Sequence, residues 1–424
     1  MVMERQVQNK NVMFYGWWVI GALLVIEMIC PMGRYCMTTF FPFVTSELKW
    51  SRYLVSSAQT MALWVYALLV PFTGWMVDRI GSRKTFFLGG LFSLGGWILL
   101  STMSTVWQLY IYYGLILGVA VSLNHMVTIQ ATANKWFSKR AGLVTGTTSA
   151  AFGIGLSIFM PLITNMANSF GWRVTSIIYG VGSGTVITIL AMLVIRDSPE
   201  SIGMTVPNEN PAEISAKRSV STANALKTSS FWLLFVAYSL TGIPLQGLWA
   251  HFVMWAVDIG TPKAEAGIFM SIMFLPSIVS KIGGGWLGDR LGKKKVLIIS
   301  QLGCLLIMLW AWQYVNARDH LEIFAALFGL GYGVPMGLFA PFLADLFGRE
   351  HVGALFGILT LGHGLMGGCG PLLWGYVSDT SGSYNPACMI SAACYGAVTI
   401  ALFLIPLTPA QIIHRSEGSE RLSL

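Results

Sequence analysis

The chain has 424 residues, of which 55% are hydrophobic and 10% charged, whereas an ordinary soluble domain carries about 25% charged residues. Such an exterior is not one that water solvates, which excludes a soluble enzyme or a soluble binding module. The formal charge of +8 would suit nucleic acid, but the Lys and Arg side chains fall in short breaks between apolar runs, so it reads as a topology signal and no nucleic-acid partner is expected.

Met1 to Asn11 is polar, and the apolar run that follows lacks a small-residue cleavage site, so a retained first helix is expected. Apolar runs begin near Phe14, Leu54, Thr85, Trp107, Gly142 and Trp172, then near Phe231, Ala264, Val296, Leu321, Val352 and Asn385. Each is long enough to cross hydrocarbon, which predicts twelve transmembrane helices and an all-α membrane protein in a lipid bilayer. Arg196 to Ser230 is the long polar break, rich in Ser, Asn, Pro and Lys, and reads as a linker. The expected organisation is a six-helix unit over residues 1–195, a linker over 196–229, a second six-helix unit over 230–408 and a tail over 409–424.

Six spans before the linker return the chain to its starting side. Breaks on that side carry Arg79, Arg83, Lys84, Lys135, Lys139, Arg140, Arg290, Lys293, Lys294, Lys295 and Arg349. The opposite breaks carry Lys49, Arg52, Arg173, Lys263 and Arg318. The positive-inside rule then places both termini and the linker in the cytoplasm, with the chain in a plasma or inner membrane. The six cysteines, Cys30, Cys36, Cys304, Cys369, Cys388 and Cys394, show neither CxxC nor zinc spacing and are expected to pack as small hydrophobes. No metal or cofactor is expected.

The halves repeat each other. Gly74-Trp75-Met76-Val77-Asp78-Arg79-Ile80-Gly81-Ser82-Arg83-Lys84 returns as Gly285-Trp286-Leu287-Gly288-Asp289-Arg290-Leu291-Gly292-Lys293-Lys294-Lys295. The separation, 285 minus 74, is 211 residues, about half the chain, as a parallel duplication requires. A second echo pairs Trp136-Phe137-Ser138-Lys139-Arg140 with Leu346-Phe347-Gly348-Arg349-Glu350. Physically the first repeat is a helix end, a tight turn and a helix start. Gly74 and Gly285 allow close helix approach, Gly81 and Gly292 the turn, Asp78 and Asp289 a pairing with basic groups or a helix N-terminus, and Arg79 and Arg290 a cytoplasmic anchor. The repeat is therefore expected to act as a conformational latch.

These residues resemble the signature of the major facilitator superfamily over nearly the whole chain. Within it, Lys135-Trp136-Phe137-Ser138-Lys139-Arg140-Ala141-Gly142-Leu143-Val144-Thr145-Gly146 and Tyr15-Gly16-Trp17-Trp18 are similar to the fifth-helix and first-helix starts of monocarboxylate transporters and the oxalate/formate antiporter group. The resemblance implies two pseudo-symmetric six-helix bundles that rock about a central site, functional as a monomer. It also implies a small carboxylate as solute, lactate-like or pyruvate-like. Without a Walker motif, transport is expected to draw on a gradient. Proton symport and exchange of one organic anion for another both stay open, as does a remoter reading, a non-transporting solute sensor. No catalytic residues are expected.

Ionisable groups at membrane depth are functional candidates because hydrocarbon makes them costly. Lys281 lies mid-helix and is expected to anchor a carboxylate; the resembled families usually carry Arg here, and Lys keeps the charge without the bidentate fork. Their proton-carrying Asp one turn earlier is here Ser277. Glu27 is the candidate proton carrier, seven positions before Arg34 and so expected on nearly the same face. Arg34 and Tyr35 are expected toward the outer end of the first helix, where the resembled proteins carry Tyr or Lys, with Arg34 attracting anions or snorkelling to headgroups. Asn124 matches a solute-facing Asn, and Met126 stands where many relatives have Tyr. His363 occupies the place of a second cation in the oxalate transporter; a neutral imidazole there argues against a dicarboxylate. Tyr332 and His251 resemble cavity or gate residues, and core packing explains each equally well.

Overall fold

The computed structural model describes residues 15–136, 141–204, 220–348 and 352–406. The terminal segments, most of the linker, and the expected topology charges Lys139, Arg140 and Arg349 lie outside the described residues, as does the side chain of Asp78. Among the described residues the chain is all-helical, with twelve helices long and apolar enough to cross a membrane. Backbone groups in hydrocarbon must be satisfied within their own segment, which is why each apolar run becomes a helix.

We number the spans α1 to α12. The first half comprises α1 (Gly16–Ile29 and Met32–Leu48), α2 (Arg52–Arg79), α3 (Ser82–Ser101), α4 (Val106–Gln108, Leu109–Leu117, Gly118–Asn124 and Met126–Trp136), α5 (Ala141–Phe170) and α6 (Trp172–Leu193). The second comprises α7 (Ser229–Asp258), α8 (Ile268–Leu291), α9 (Lys293–Tyr314), α10 (Arg318–Phe347), α11 (Val352–Ser381) and α12 (Asn385–Leu404). The described ends of the linker hold one 3₁₀ turn, Pro199–Ile202, and one short helix, Thr222–Ala225, where Val220 N–H donates to the Phe347 carbonyl at the end of α10.

Two spans are interrupted. Pro31 has no N–H to continue the ladder, so α1 breaks at Cys30–Pro31 and restarts at Met32. In α4 a π-helical stretch, Leu109–Leu117, precedes an extended residue at His125 (φ −110°, ψ −171°). Such irregular backbone recurs at functional sites in membrane proteins, where other helices or a cavity satisfy it.

Within each half, α3 packs on α6 and α9 on α12 as the same outer pair. Between halves, α1 meets α7, α2 meets α11 and α5 meets α8. Under the 211-residue repeat α2 corresponds to α8 and α5 to α11, so the last two contacts are one contact seen from both sides of a twofold axis. The repeated turn is symmetric in detail as well. Gly81 and Gly292 both take positive φ, +90° and +92°, where a side chain would be strained. The Arg79 guanidinium lies 5.7 Å from the Trp75 ring, and that of Arg290 lies 4.0 Å from the Trp286 ring.

The latch expectation needs correcting at three residues. Asp289 is exposed and pairs with no cation among the described residues; Lys293 instead pairs with Asp345 of α10 at 2.7 Å. The acid that holds the first turn is Asp197, beyond α6, which accepts from Arg83 N–H at 2.9 Å and fills the space beside Gly81. Gly285 has open space around it, and the close approach in α8 is made by Gly284 against Val334 and Gly288 against Leu338, while Gly74 makes only an ordinary contact with Val127.

Candidate functional site

Helical rise sets the depth of each polar group. Counting about 1.5 Å per residue from the linker-side helix ends, Glu27, His125, Phe152 and Lys281 lie about 15–17 Å deep, near the middle of the hydrocarbon. Four helices from both halves thus bring their chemistry to one level.

Glu27 and His125 form a pair there, Glu27 Oε2 to His125 Nδ1 at 2.9 Å, with side-chain exposures of only 4% and 7%. When Glu27 is ionised its carboxylate can only accept, and His125 Nδ1–H donates. The His125 ring sits between Tyr66 (centroids 5.8 Å) and Phe152 (5.6 Å, stacked). Phe152 in turn receives the Lys281 ammonium at 5.8 Å from its centroid, the long-range contact a cation makes with an aromatic face. No ion pair joins Glu27 to Lys281 across the interface between the bundles. Lys281 itself is half-buried.

Arg34 lies 18 residues into the first span, about 27 Å from its linker-side end and so about 10 Å beyond the level of Glu27, and 14 residues before the span's other end at Leu48. Across the Pro31 break Arg34 and His125, the partner of Glu27, both pack on the Tyr66 ring. The Arg34 guanidinium lies 4.9 Å from the Tyr66 ring and 5.1 Å from the Tyr35 ring, and its buried Nε has no hydrogen-bond partner. It lines a small polar pocket with Tyr35, Thr38 and Gln59, closed from the other half by Gln246 and Pro371. The Tyr35 hydroxyl donates to Gln246 Oε1 at 3.4 Å, and its ring contacts Phe152 and Trp249.

The remaining expected residues divide. Tyr332 joins the aromatic wall, edge-on to Trp249 at 5.6 Å, its buried hydroxyl near Ser277 without a hydrogen bond of ordinary geometry. His363 donates Nδ1–H to the Tyr238 carbonyl at 3.0 Å and stacks on the Tyr238 ring, which ties it to α7. His251 bridges Tyr384 Oη and the Pro371 carbonyl, each at 2.9 Å, so Nε2–H donates to the carbonyl and Nδ1 accepts from the phenol. Asn124 is fully buried against Gly89 of α3, and its amide has no hydrogen-bond partner, so the structure does not bring it to Lys281. Met126 is half-buried at the start of the last α4 segment. Sequence reasoning missed His125, Tyr66, Phe152, Trp249, Gln59 and Gln246. His125 carried a readable signal, an ionisable group in an apolar run.

The face opposite the linker is sealed. Arg52 at the start of α2 makes a bidentate pair with Asp258 at the end of α7, Nη2 to Oδ1 being 2.8 Å, and lies 5.4 Å from the Tyr384 ring. Asp379 of α11 accepts from the backbone N–H groups of Arg52 and Tyr53, capping α2 from the other half. Lys263 donates to the Pro42 carbonyl, Thr60 to that of Gly368 and Trp64 to that of Leu365. The hydrogen bonds seen between the halves run from this face down to the level of the Arg34 pocket.

Two related six-helix bundles, sealed at one face and meeting around half-buried cations within the membrane span, define a membrane solute carrier rather than an enzyme. The chain belongs to the Major Facilitator Superfamily, whose profile matches residues 23–258 and again 234–422. It is similar to the oxalate:formate antiporter of Oxalobacter formigenes, 25% identical over 94% of each chain. It is also similar to human monocarboxylate transporter 2, 25% identical over 96% of this chain and 88% of that protein. Among solved structures it shares its fold with the nucleoside transporter NupG (TM-score 0.71, 13% identity, 92% of this chain and 100% of that one). The same holds for a bacterial homologue of the human lysosomal transporter Spinster (TM-score 0.69, 14% identity, 96% of this chain and 98% of that one).

Proposed function

We propose that the chain is a gradient-driven carrier of a small organic anion, a monocarboxylate of the lactate or pyruvate kind, working by alternating access as a monomer. The observation that carries this reading is the pair of cations at the bundle interface. Lys281 and Arg34 come to the bundle interface from opposite halves, about 12 Å apart in depth, and neither has a carboxylate within ion-pair distance among the described residues. A buried cation without a fixed counter-ion is costly, and an anion that enters from water relieves that cost. The relatives named as transporters of monocarboxylates and of oxalate and formate support the same class. Lys281 is the primary anchor, with Tyr35 and Tyr332 shaping the wall. Coupling to protons runs through Glu27, and the positive-inside charge bias puts the sealed face outside and both termini in the cytoplasm.

Exchange of one organic anion for another is the second reading, favoured by Arg34. With His363 neutral, Lys281 was the one cation expected to face a solute; Arg34, within the first span and facing the bundle interface, offers a second. Uptake of labelled lactate, formate and oxalate into proteoliposomes separates the two. Uptake into vesicles free of internal anion supports symport, uptake that requires preloading supports exchange, and absence of uptake of all three under both conditions overturns the organic-anion reading.

A further inference from the structure

We infer that Glu27 and His125 act together as one proton-binding unit that sets the charge facing the anion site, so that anion and proton bind cooperatively. This rests on the organic-anion reading and deepens it: the carrier takes one proton with each carboxylate, and the proton sits on a carboxylate–imidazole pair confined to the first half.

The geometry supplies the parts. The pair is closed off from water and joined by a direct 2.9 Å contact, Nδ1–H donating. His125 stands at the break of α4, where the extended backbone leaves the helix and lets the ring turn toward α1. Its ring stacks on Phe152, whose face also receives Lys281, so the pair and the anchor share one aromatic ring. The other titratable and charged groups around the pair are Cys30 on α1, Arg34 beyond the α1 break, Tyr66 on α2, Tyr179 on α6, whose hydroxyl donates to the Ile29 carbonyl, and Lys281 on α8. α3 presents Gly89 behind the neighbouring Asn124, and α5 presents Phe152.

The charge balance follows. With His125 neutral the pair carries one negative charge, which attracts Lys281 and repels an incoming carboxylate. A proton taken up at His125 Nε2 makes an imidazolium–carboxylate pair of zero net charge, and the carboxylate then finds Lys281 uncontested. Proton and anion therefore favour each other by the same factor in both directions, as linkage requires. No bond to carbon forms or breaks; one proton is bound on one side and released on the other.

The test is lactate or formate accumulation in proteoliposomes with an inward proton gradient, protein-free vesicles correcting for acid that crosses lipid unaided. One proton per anion predicts about tenfold accumulation for each pH unit imposed. Glu27→Gln and His125→Gln are each expected to lose this accumulation; because Glu27→Gln removes the charge that repels the anion and His125→Gln fixes it, counterflow of the labelled anion should persist in the first and weaken in the second. Variants that accumulate as well as the parent overturn the inference, as does a parent that equilibrates the anion but ignores the pH gradient; in both cases the transport reading stands. If neither anion moves under either condition, the transport reading fails and takes the inference with it. A second readout needs no variant: thermal stabilisation of the unmodified protein by lactate or formate should strengthen as pH falls, and stabilisation independent of pH would overturn the inference.

Discussion

Loss of the Arg52–Asp258 pair should open the sealed face. The pair is bidentate and charge-assisted, with side-chain exposures of 23% and 28%, so it lies between a buried and a surface bridge. A hydrogen bond to a charged group is worth about 1.5–3 kcal/mol and an exposed pair about 0–1 kcal/mol, which brackets this contact at about 1–2 kcal/mol. Because the two partners come from opposite halves, that energy belongs to the sealed state alone. Asp258→Asn should therefore shift the equilibrium between sealed and open states about 5–30-fold toward open. Spin labels at Lys49 and Thr380, exposed on opposite sides of the seam, report this in distance measurements once the exposed Cys369 has been replaced. A longer-distance population should appear in Asp258→Asn and recede in the charge-reversed double variant Arg52→Asp with Asp258→Arg. An unchanged distance distribution would refute the assignment of this contact as the gate of the sealed face.

Three further outcomes follow from the packing. Arg34→Gln should weaken oxalate binding more than lactate binding, because a dianion uses both cations; equal losses in titrations of the purified protein would contradict this. His251→Leu should lower Tm through the unpaired Tyr384 hydroxyl and Pro371 carbonyl, a loss of about 1–3 kcal/mol, while carboxylate affinity stays within twofold. Gly155→Leu should abolish monodisperse extraction, since a Cβ there would lie 2.2 Å from the Met28 carbonyl oxygen, whereas Gly283→Ala, with open space around it, should behave as the parent in size-exclusion chromatography.

The twelve spans and the duplication were legible because hydrocarbon demands long uninterrupted apolar runs and because one motif returns 211 residues later. The depth of Lys281 was legible for the same reason: one continuous helix carries it. The break at Pro31 went unread, although a proline inside an apolar run is a sequence signal for one. The partner of Glu27 was invisible locally, His125 being 98 residues away and aimed by an irregular turn of α4. Asn124, its neighbour in sequence, points to Gly89 for the same reason. The motif's turn was predicted by its glycines, but the acid that holds it, Asp197, comes from the far end of α6, a placement only tertiary packing makes.

The central claim is that a small carboxylate binds between the bundles at Lys281, and calorimetric titration of the purified protein with lactate, formate and oxalate tests it most directly. The account predicts saturable binding of at least one of them, lost in a folded Lys281→Gln variant and kept in Lys281→Arg. Binding of equal affinity by the parent and by Lys281→Gln would contradict it.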